Sequence, residues 1–293
     1  MGKIDILLPI YNSINETKNC IESILMCTAP EQFNLYLLDD CSPGEQIQQL
    51  TSFYSQKYSN IIAVRNDKNL GFPGNVNNGF AISENDVIIL NSDTLVTDNW
   101  LEILAKTVNS EESIAAAIPM SNYGIISGLP TANSTINDLF SFSELVTSFQ
   151  NSRESGYIEA PLLIGFCMYV KRKALKSVGL FDAAAFKRGY GEETDWCMRA
   201  RKKGLKLVVA KAAYVHHLGG SSFGAEKENL QKASKAILLK RYPQIDLELK
   251  RFVKENHFKK IRKRMMENLP FFEKKSGAKL KLRMIKHFIF NQL

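Results

Sequence analysis

The 293-residue chain is 45% hydrophobic, enough for a sizeable core in one large domain or two small ones, and no apolar run approaches the ~20 residues of a membrane span. The start, Met1-Gly2-Lys3-Ile4-Asp5, puts an acid where a secretory signal would run apolar, and five cysteines (Cys20, Cys27, Cys41, Cys167, Cys197) without a C-x-x-C read as reduced thiols, so an unexported, cytoplasmic chain is expected. The net charge of +8 belongs to the tail, because residues 250–293 hold 14 Lys/Arg against 3 Asp/Glu and leave residues 1–249 at −3.

Ile4 to Ile10 is a strand-like run punctuated by Pro9 and followed by Tyr11-Asn12. Asn15 can cap a helix through about Met26, with Ile21, Ile24 and Leu25 on one side. Phe33 to Leu38 is a second strand, ending in Asp39-Asp40-Cys41-Ser42. Ile47, Leu50 and Tyr54 mark a helix, and Ile61 to Val64 a short strand. A glycine- and asparagine-rich turn from Asn69 to Gly79 runs into an apolar helix end at Phe80-Ala81-Ile82. Val87-Ile88-Ile89-Leu90 is a buried strand that breaks off in Asn91-Ser92-Asp93, and Ile114 to Ile118 is another.

From Pro119 to Gly156 the chain is polar, with an amphipathic piece near Leu139 to Phe149, and reads as a long insertion or lid. Leu162 to Val170 resumes the sheet, Lys171 to Val178 is helical, and a turn from Phe186 to Gly191 leads into a helix from Glu192 to Lys203, stopped by Gly204. Leu205 to Ala210 and Tyr214 to His217 are extended, before Gly219-Gly220-Ser221-Ser222. Strands alternating with helices imply an α/β fold with a mostly parallel sheet flanked by helices, and ligands in such sheets bind beyond the carboxyl ends of the strands.

Three acidic points lie at such ends or at a helix start: Asp39-Asp40, Asp93, and Glu192-Glu193-Thr194-Asp195. Asp93 suits a hard divalent cation, and a cation suits a diphosphate; equally, Asn91-Ser92-Asp93 is the composition of a plain turn or helix cap. Acids opening a helix suit its dipole, or supply a rigidly held general base. His216-His217 are either ordinary partly buried histidines or the source of a neutral imidazole ligand. The Gly74 to Gly79 stretch lacks the Lys-Ser/Thr of a P-loop, and no G-x-G-x-x-G occurs there.

Pro9-Ile10-Tyr11-Asn12, Asp39-Asp40-x-Ser42, Asn69-Leu70-Gly71-Phe72 with Asn77-x-Gly79, Asn91-Ser92-Asp93, Gly191-Glu192-Glu193-x-Asp195-Trp196-Cys197-x-Arg199 and His217-x-Gly219-Gly220-x-Ser222 follow one another in this order. Together they resemble the family 2 glycosyltransferases, inverting enzymes of the GT-A fold, over about residues 4–225. The resemblance implies a Rossmann-like GT-A domain over residues 1–243 with a basic helical extension over 244–293. It implies that Pro9, Tyr11, Asn12, Asp39, Asp40, Asn69, Gly71 and Asn77 lie about the nucleoside, with a carboxylate accepting the N3–H of uracil or thymine. Asn91-Ser92-Asp93 would occupy the D-x-D position, with Asp93 and His217 holding Mn2+ or Mg2+ and Asn91 reaching ribose or phosphate through water. Glu193 matches the base position, usually Asp after Glu, with Glu192 in reserve. Phe166, Trp196 and Asp195 would line the acceptor side, although both aromatics also fit ordinary packing.

The implied reaction is metal-dependent transfer of a sugar from a UDP- or dTDP-sugar to a hydroxyl of a glycan or lipid-linked acceptor, in cell-surface polysaccharide assembly. In the tail, Lys259 to Arg264 are basic, and Leu280, Met284, Ile285, Phe288 and Ile289 recur at helical spacing. Such a helix suits an anionic membrane at the inner face of the plasma membrane, a dimer partner, or packing on the domain itself. Nucleic acid is disfavoured, because the rest of the chain is net acidic and has no recognisable module. A sugar nucleotidyltransferase would want a cationic loop after its first strand, which Pro9 to Asn12 does not offer. A non-catalytic sugar-nucleotide-binding protein would need no base. The donor sugar, acceptor, linkage and oligomeric state are not written in the motifs.

Overall fold

The structure, a computed structural model, describes residues 2–130, 140–218 and 227–269. Its strands are β1 (Ile4–Ile10), β2 (Phe33–Asp39), β3 (Ile61–Arg65), β4 (Val87–Leu90), β5 (Thr94–Val96), β6 (Ile114–Met120), β7 (Tyr157–Glu159), β8 (Cys167–Val170) and β9 (Lys206–His217). The helices are α1 (Ile14–Cys27), α2 (Gln46–Lys57), α3 (Gly71–Ile82), α4 (Trp100–Asn109), α5 (Phe142–Ser152), α6 (Arg172–Val178), α7 (Glu192–Lys202), α8 (Lys227–Arg241), α9 (Ile245–Glu255) and α10 (Lys259–Asn268).

The sheet runs β3-β2-β1-β4-β8-β6-β9-β5, with β7 also on β9. β1 to β4 are mutually parallel, as are β6 and β9; β5, β7 and β8 run against their neighbours. β1, β4 and β6 are buried at every residue, because helices cover both faces, and this is why they read as near-continuous apolar runs. One face packs on α1, α2 and α4 through Ile21, Ile24, Ile47, Trp100 and Leu104; the other packs on α3 and α5 to α10. The chain winds outward from β1 through β2 to β3, then returns to β4 on β1's other side, so the turns after β1, β2 and β4 meet at one edge.

Three expectations change. The glycine-rich stretch is the helix α3 from Gly71 onward, despite its poor helix formers. Tertiary contacts outweigh propensity: Val76 and Phe80 are buried, and a Cβ on Gly79 would meet Leu38 at 2.6 Å, so glycine lets the helix lie on the sheet. Leu162 to Phe166 is not strand; it is the connection that brings Gly165 and Phe166 to the site. Residues 206–217 form one strand rather than two extended pieces.

The boundary expected at 243/244 does not divide the core. Ile245, Phe252, Phe258, Ile261, Met265 and Leu269 are buried in the same cluster as Leu145 and Phe149 of α5, and Ser148 Oγ donates to Met265 O at 2.7 Å. The apolar side of α9 and α10 therefore faces protein, which removes residues 245–269 from a bilayer-inserting role. The apolar positions from Leu280 to Ile289 lie outside the described residues, as do Gly219, Gly220 and Ser222. Among the described residues no helix is long and apolar enough to cross a membrane.

Candidate active site

The turns at the carboxyl ends of β1 and β2 are locked together. Asp40 N donates to Ile10 O at 2.9 Å, and Asn12 N to Ser42 Oγ at 3.0 Å. Asn12, Ser13 and Cys41 all adopt positive φ (60°, 58° and 57°), a conformation costly for side chains other than Asn and concentrated at functional turns. Asp39 is buried, accepts Ser42 N at 2.9 Å, and is paired with Arg65, whose second nitrogen reaches Ser42 O at 3.0 Å. Asp40 Oδ1 accepts from Asn66 and from Leu70 N, both at 2.8 Å, and so anchors the start of α3. Pro9 is buried within β1, whereas Tyr11 is 43% exposed at the mouth of these turns.

Asn69 Oδ1 caps Gly71 N at 3.1 Å. Gly71 has φ +73°, and a Cβ there would lie 2.1 Å from Lys187 O, so only glycine lets the 182–191 loop close on the start of α3.

On the other side of β1, Asn91 N donates to Phe166 O at 2.8 Å, and Asn91 O accepts from Thr94 Oγ1 at 2.8 Å. Asn91 Oδ1 is buried and has no hydrogen-bond partner among the described residues, which is an unmet acceptor inside the site. Ser92 is half-buried in the same turn. Because Thr94 of β5 pairs with His217 of β9, Asp93 comes beside the imidazole: His217 Nε2 and Asp93 Oδ1 are 3.2 Å apart. The Phe166 ring stacks on His217 (centroids 5.3 Å, 14° between planes), and Tyr123 meets it edge-on at 6.0 Å. Strand alternation turns His216 the other way, toward Tyr214 Oη (3.4 Å) and the Phe142 ring. Burial, with the nearby His217 charge, pushes the His216 pKa down to about 4.

Among the described residues no three His, Cys, Asp or Glu converge as a ready-made metal cage. A carboxylate and an imidazole side by side fit Mn2+ or Mg2+ that keeps substrate phosphate and water as its other ligands.

The base candidates approach from α7. Gly191, at φ +102°, starts the helix and donates its N–H to Glu193 Oε2 at 3.2 Å. The side-chain carbons of Glu193 lie 3.6 Å from where a Cβ on Gly165 would stand. Gly165 thus faces the Glu193 side chain while Phe166, the next residue, stacks on His217, so one connection runs between the carboxylate and the Asp93–His217 pair. Glu192 is buried, and its Oε2 has no hydrogen-bond partner among the described residues. Burial, then the adjacent Glu193 charge, raises the Glu192 pKa well above the ordinary value; burial also raises that of Glu193, opposed by backbone N–H groups at the helix start.

Residues 5–179, more than half of the chain, match the family described as Glycosyl transferase family 2. The chain belongs to that family. Glu192, Glu193 and His217 lie beyond the matched range. A poly(ribitol-phosphate) beta-glucosyltransferase of Bacillus spizizenii is 33% identical over 73 residues, 25% of this chain and 11% of that one. An uncharacterised Mycobacterium bovis protein is 34% identical over 64 residues, 22% and 24% of the two chains. The match thus spans a small part of either relative.

Among solved structures, GalNAc-T7 with UDP, GalNAc and Mn2+ aligns at TM-score 0.62 and 16% identity over 93% of this chain and 57% of its own. A Pyrobaculum calidifontis mannosyltransferase with GDP-Man and Mn2+ aligns at 0.59 and 12%, covering 97% and 79%. S. aureus TarS 1-349 with UDP-GlcNAc aligns at 0.55 and 16%, covering 87% and 75%. At these identities they establish the GT-A fold.

Three residues expected at the family's ligand positions are engaged elsewhere. Asn77 accepts Phe181 N at 3.0 Å and donates to Phe181 O at 2.9 Å, tying α3 to the loop after α6. Trp196 is buried, with Nε1 bonded to Gly179 O at 2.9 Å, which gives it the packing role. Asp195 is buried beneath Arg199, Arg241 and Tyr242 and joins α7 to α8. Phe166 packs against the imidazole and is itself 2% exposed. Sequence reading missed Asn122, whose amide brackets the His217 backbone, and Gly165; a lone Asn in a polar stretch and a Gly in an apolar run carry no signal of either contact.

Proposed function

We propose that the chain is an inverting, metal-dependent glycosyltransferase that moves a sugar from a UDP- or dTDP-sugar to a hydroxyl of a glycan or lipid-linked acceptor in cell-wall polysaccharide assembly. The observation that carries this reading is the Gly165–Phe166 connection, which joins a carboxylate base candidate to a carboxylate–imidazole pair. Tyr11, exposed above the Asp39-Asp40 turn, offers a ring face to the base, and Asn91 Oδ1 offers an unmet acceptor toward ribose or phosphate. The part-length similarity to a poly(ribitol-phosphate) beta-glucosyltransferase supports a cell-wall polymer as acceptor.

Two adjacent carboxyls, one buried and one half-buried, cannot both ionise cheaply. Glu192, the more deeply buried, keeps the proton; Glu193, with the Gly191 N–H and the helix dipole, carries the charge and acts as base. The acceptor O–H gives its proton to Glu193 while its oxygen forms the bond to the anomeric carbon. The bond from that carbon to the diphosphate oxygen breaks on the opposite face, its electron pair leaving with the nucleoside diphosphate. General-base assistance is worth about 10²–10⁴ in rate. Asp93 and His217 would hold Mn2+ or Mg2+, which would supply positive charge for the departing diphosphate.

The test is a screen of nucleotide sugars for metal-dependent nucleoside diphosphate release. One UDP- or dTDP-sugar should stand out, with release lost on chelation and in Asp93→Asn. Equal release with and without metal would overturn the reading.

A further inference from the structure

Within the tail, α10 reaches back to the cation side of the site through one buried guanidinium. Arg262 of α10 is 5% exposed although it lies in the run Lys259 to Arg264, whose other cations face solvent. Its Nε donates to Gly128 O at 3.1 Å, its Nη1 to Asn256 Oδ1 at 2.9 Å, and it lies over the Phe258 ring. Burial lowers its pKa, to about 10, and among the described residues no carboxylate pairs with it. Burying an arginine without a counter-charge is costly, and a lysine-rich helix has cheaper ways to pack.

Gly128 closes a loop on itself. Ser121 N donates to Ser127 O (3.1 Å), Leu129 N to Ser121 O (2.7 Å) and Gly128 N to Gly124 O (2.9 Å). The loop holds Asn122, whose Oδ1 accepts His217 N at 2.7 Å and whose Nδ2 donates to His217 O at 2.9 Å, and Tyr123, whose ring edges the imidazole. The contacts thus run Arg262, Gly128, Asn122 and Tyr123, His217, Asp93.

We propose that Arg262 is a positioning residue for the cation site: by holding the 121–130 loop it fixes the His217 imidazole, so that the C-terminal helix is part of the apparatus that binds the divalent ion. This rests on the reading of Asp93 and His217 as ligands. Contacts of this outer kind typically set metal affinity within about 10- to 100-fold.

The test uses the full chain and titrates Mn2+, alone and with UDP, by electron paramagnetic resonance, alongside thermal melts. Arg262→Met removes both donors but leaves no stranded charge, so the melt should hold or rise while Mn2+ affinity with UDP falls about 10-fold. Asn122→Ala should weaken Mn2+ similarly, Arg262→Lys should recover part of the loss, and Lys263→Ala, an exposed neighbour, should change nothing. Mn2+ affinity unchanged in Arg262→Met and Asn122→Ala, with His217→Ala impaired, would overturn the positioning role and leave the cation site standing. Unchanged affinity in His217→Ala would instead remove the cation site itself. Should Arg262→Met fail to fold, Asn122→Ala decides by the same readout.

Discussion

Replacing Asp195 with alanine separates its structural role from the acceptor contact its motif suggested. The carboxylate is 1% exposed and accepts three bonds: Arg199 Nε at 2.8 Å, Arg241 Nη1 at 2.8 Å and Tyr242 Oη at 2.9 Å. Removing one member of a fully buried ion-pair network costs about 3–5 kcal/mol. Here the loss is smaller, because both arginines keep other partners. Arg199 still reaches Val178 O (2.7 Å) and Leu180 O (2.8 Å), and Arg241, at 36% side-chain exposure, still pairs with Asp182 at 2.8 Å. The buried Tyr242 hydroxyl is left without its acceptor, at about 1–3 kcal/mol. The net expectation is about 3 kcal/mol for Asp195→Ala, against about 1 for Arg241→Ala, whose exposure lets water compensate. Urea unfolding followed by circular dichroism at neutral pH measures both. A loss below about 1 kcal/mol for Asp195→Ala, with an altered acceptor KM, would refute the network argument and restore the acceptor-side reading.

Gly71→Ala combines a φ of +73° with a Cβ 2.1 Å from Lys187 O; we expect about 2–4 kcal/mol of destabilisation by urea unfolding, and a value under about 0.5 would mean that the loop yields freely. Glu192→Gln tests the buried proton: the folded carboxyl titrates above its ordinary value of 4.5, so the native state holds a proton that the unfolded chain releases above that pH. Wild-type stability should therefore fall as pH rises from about 4.5 through the raised value, whereas the amide removes that dependence; parallel stability–pH curves for the two proteins would contradict this. Truncation after residue 244 strips Phe252, Phe258, Ile261, Met265 and Leu269 from the core at about 1.5–3 kcal/mol each, enough to exceed the net stability of a typical domain. The product should be insoluble or unfolded by circular dichroism, and a cooperative melt at the full-length temperature would show the helices to be dispensable.

The parallel half of the sheet was legible because burial on both faces leaves plain aliphatic runs, as in Ile4 to Ile10 and Val87 to Leu90, cut off by polar residues at the ligand edge. α7 was legible from its acidic opening and Gly204. α3 was not, since Gly71, Gly74, Gly79 and three asparagines oppose a helix locally; buried Val76 and Phe80 and the Asn75 bond to Leu38 O at 2.8 Å override them. The three-residue strands β5 and β7 exist because β9 offers them an edge, not because of any pattern of their own.

The same holds for the tail. The apolar positions read there, Leu280 to Ile289, lie outside the described residues, and those of α9 and α10 were missed because their partner, α5, is about a hundred residues earlier in the chain. Arg262 is likewise indistinguishable, by type, from the exposed cations around it. At the site, the acids and His217 carried their signal in residue type and motif order, whereas Asn122 and Gly165 act through backbone contacts that depend on the folded chain.

The most direct test of the central claim, that Glu193 is the base of a site whose cation and donor are held at Asp93, pairs calorimetric binding of the selected nucleotide sugar with Mn2+ and the rate of nucleoside diphosphate release. Glu193→Gln should bind donor and Mn2+ as the parent does while transfer falls about 10²–10⁴-fold, and Asp93→Asn should lose both. Full transfer by Glu193→Gln, or undiminished Mn2+ and donor binding by Asp93→Asn, would contradict it.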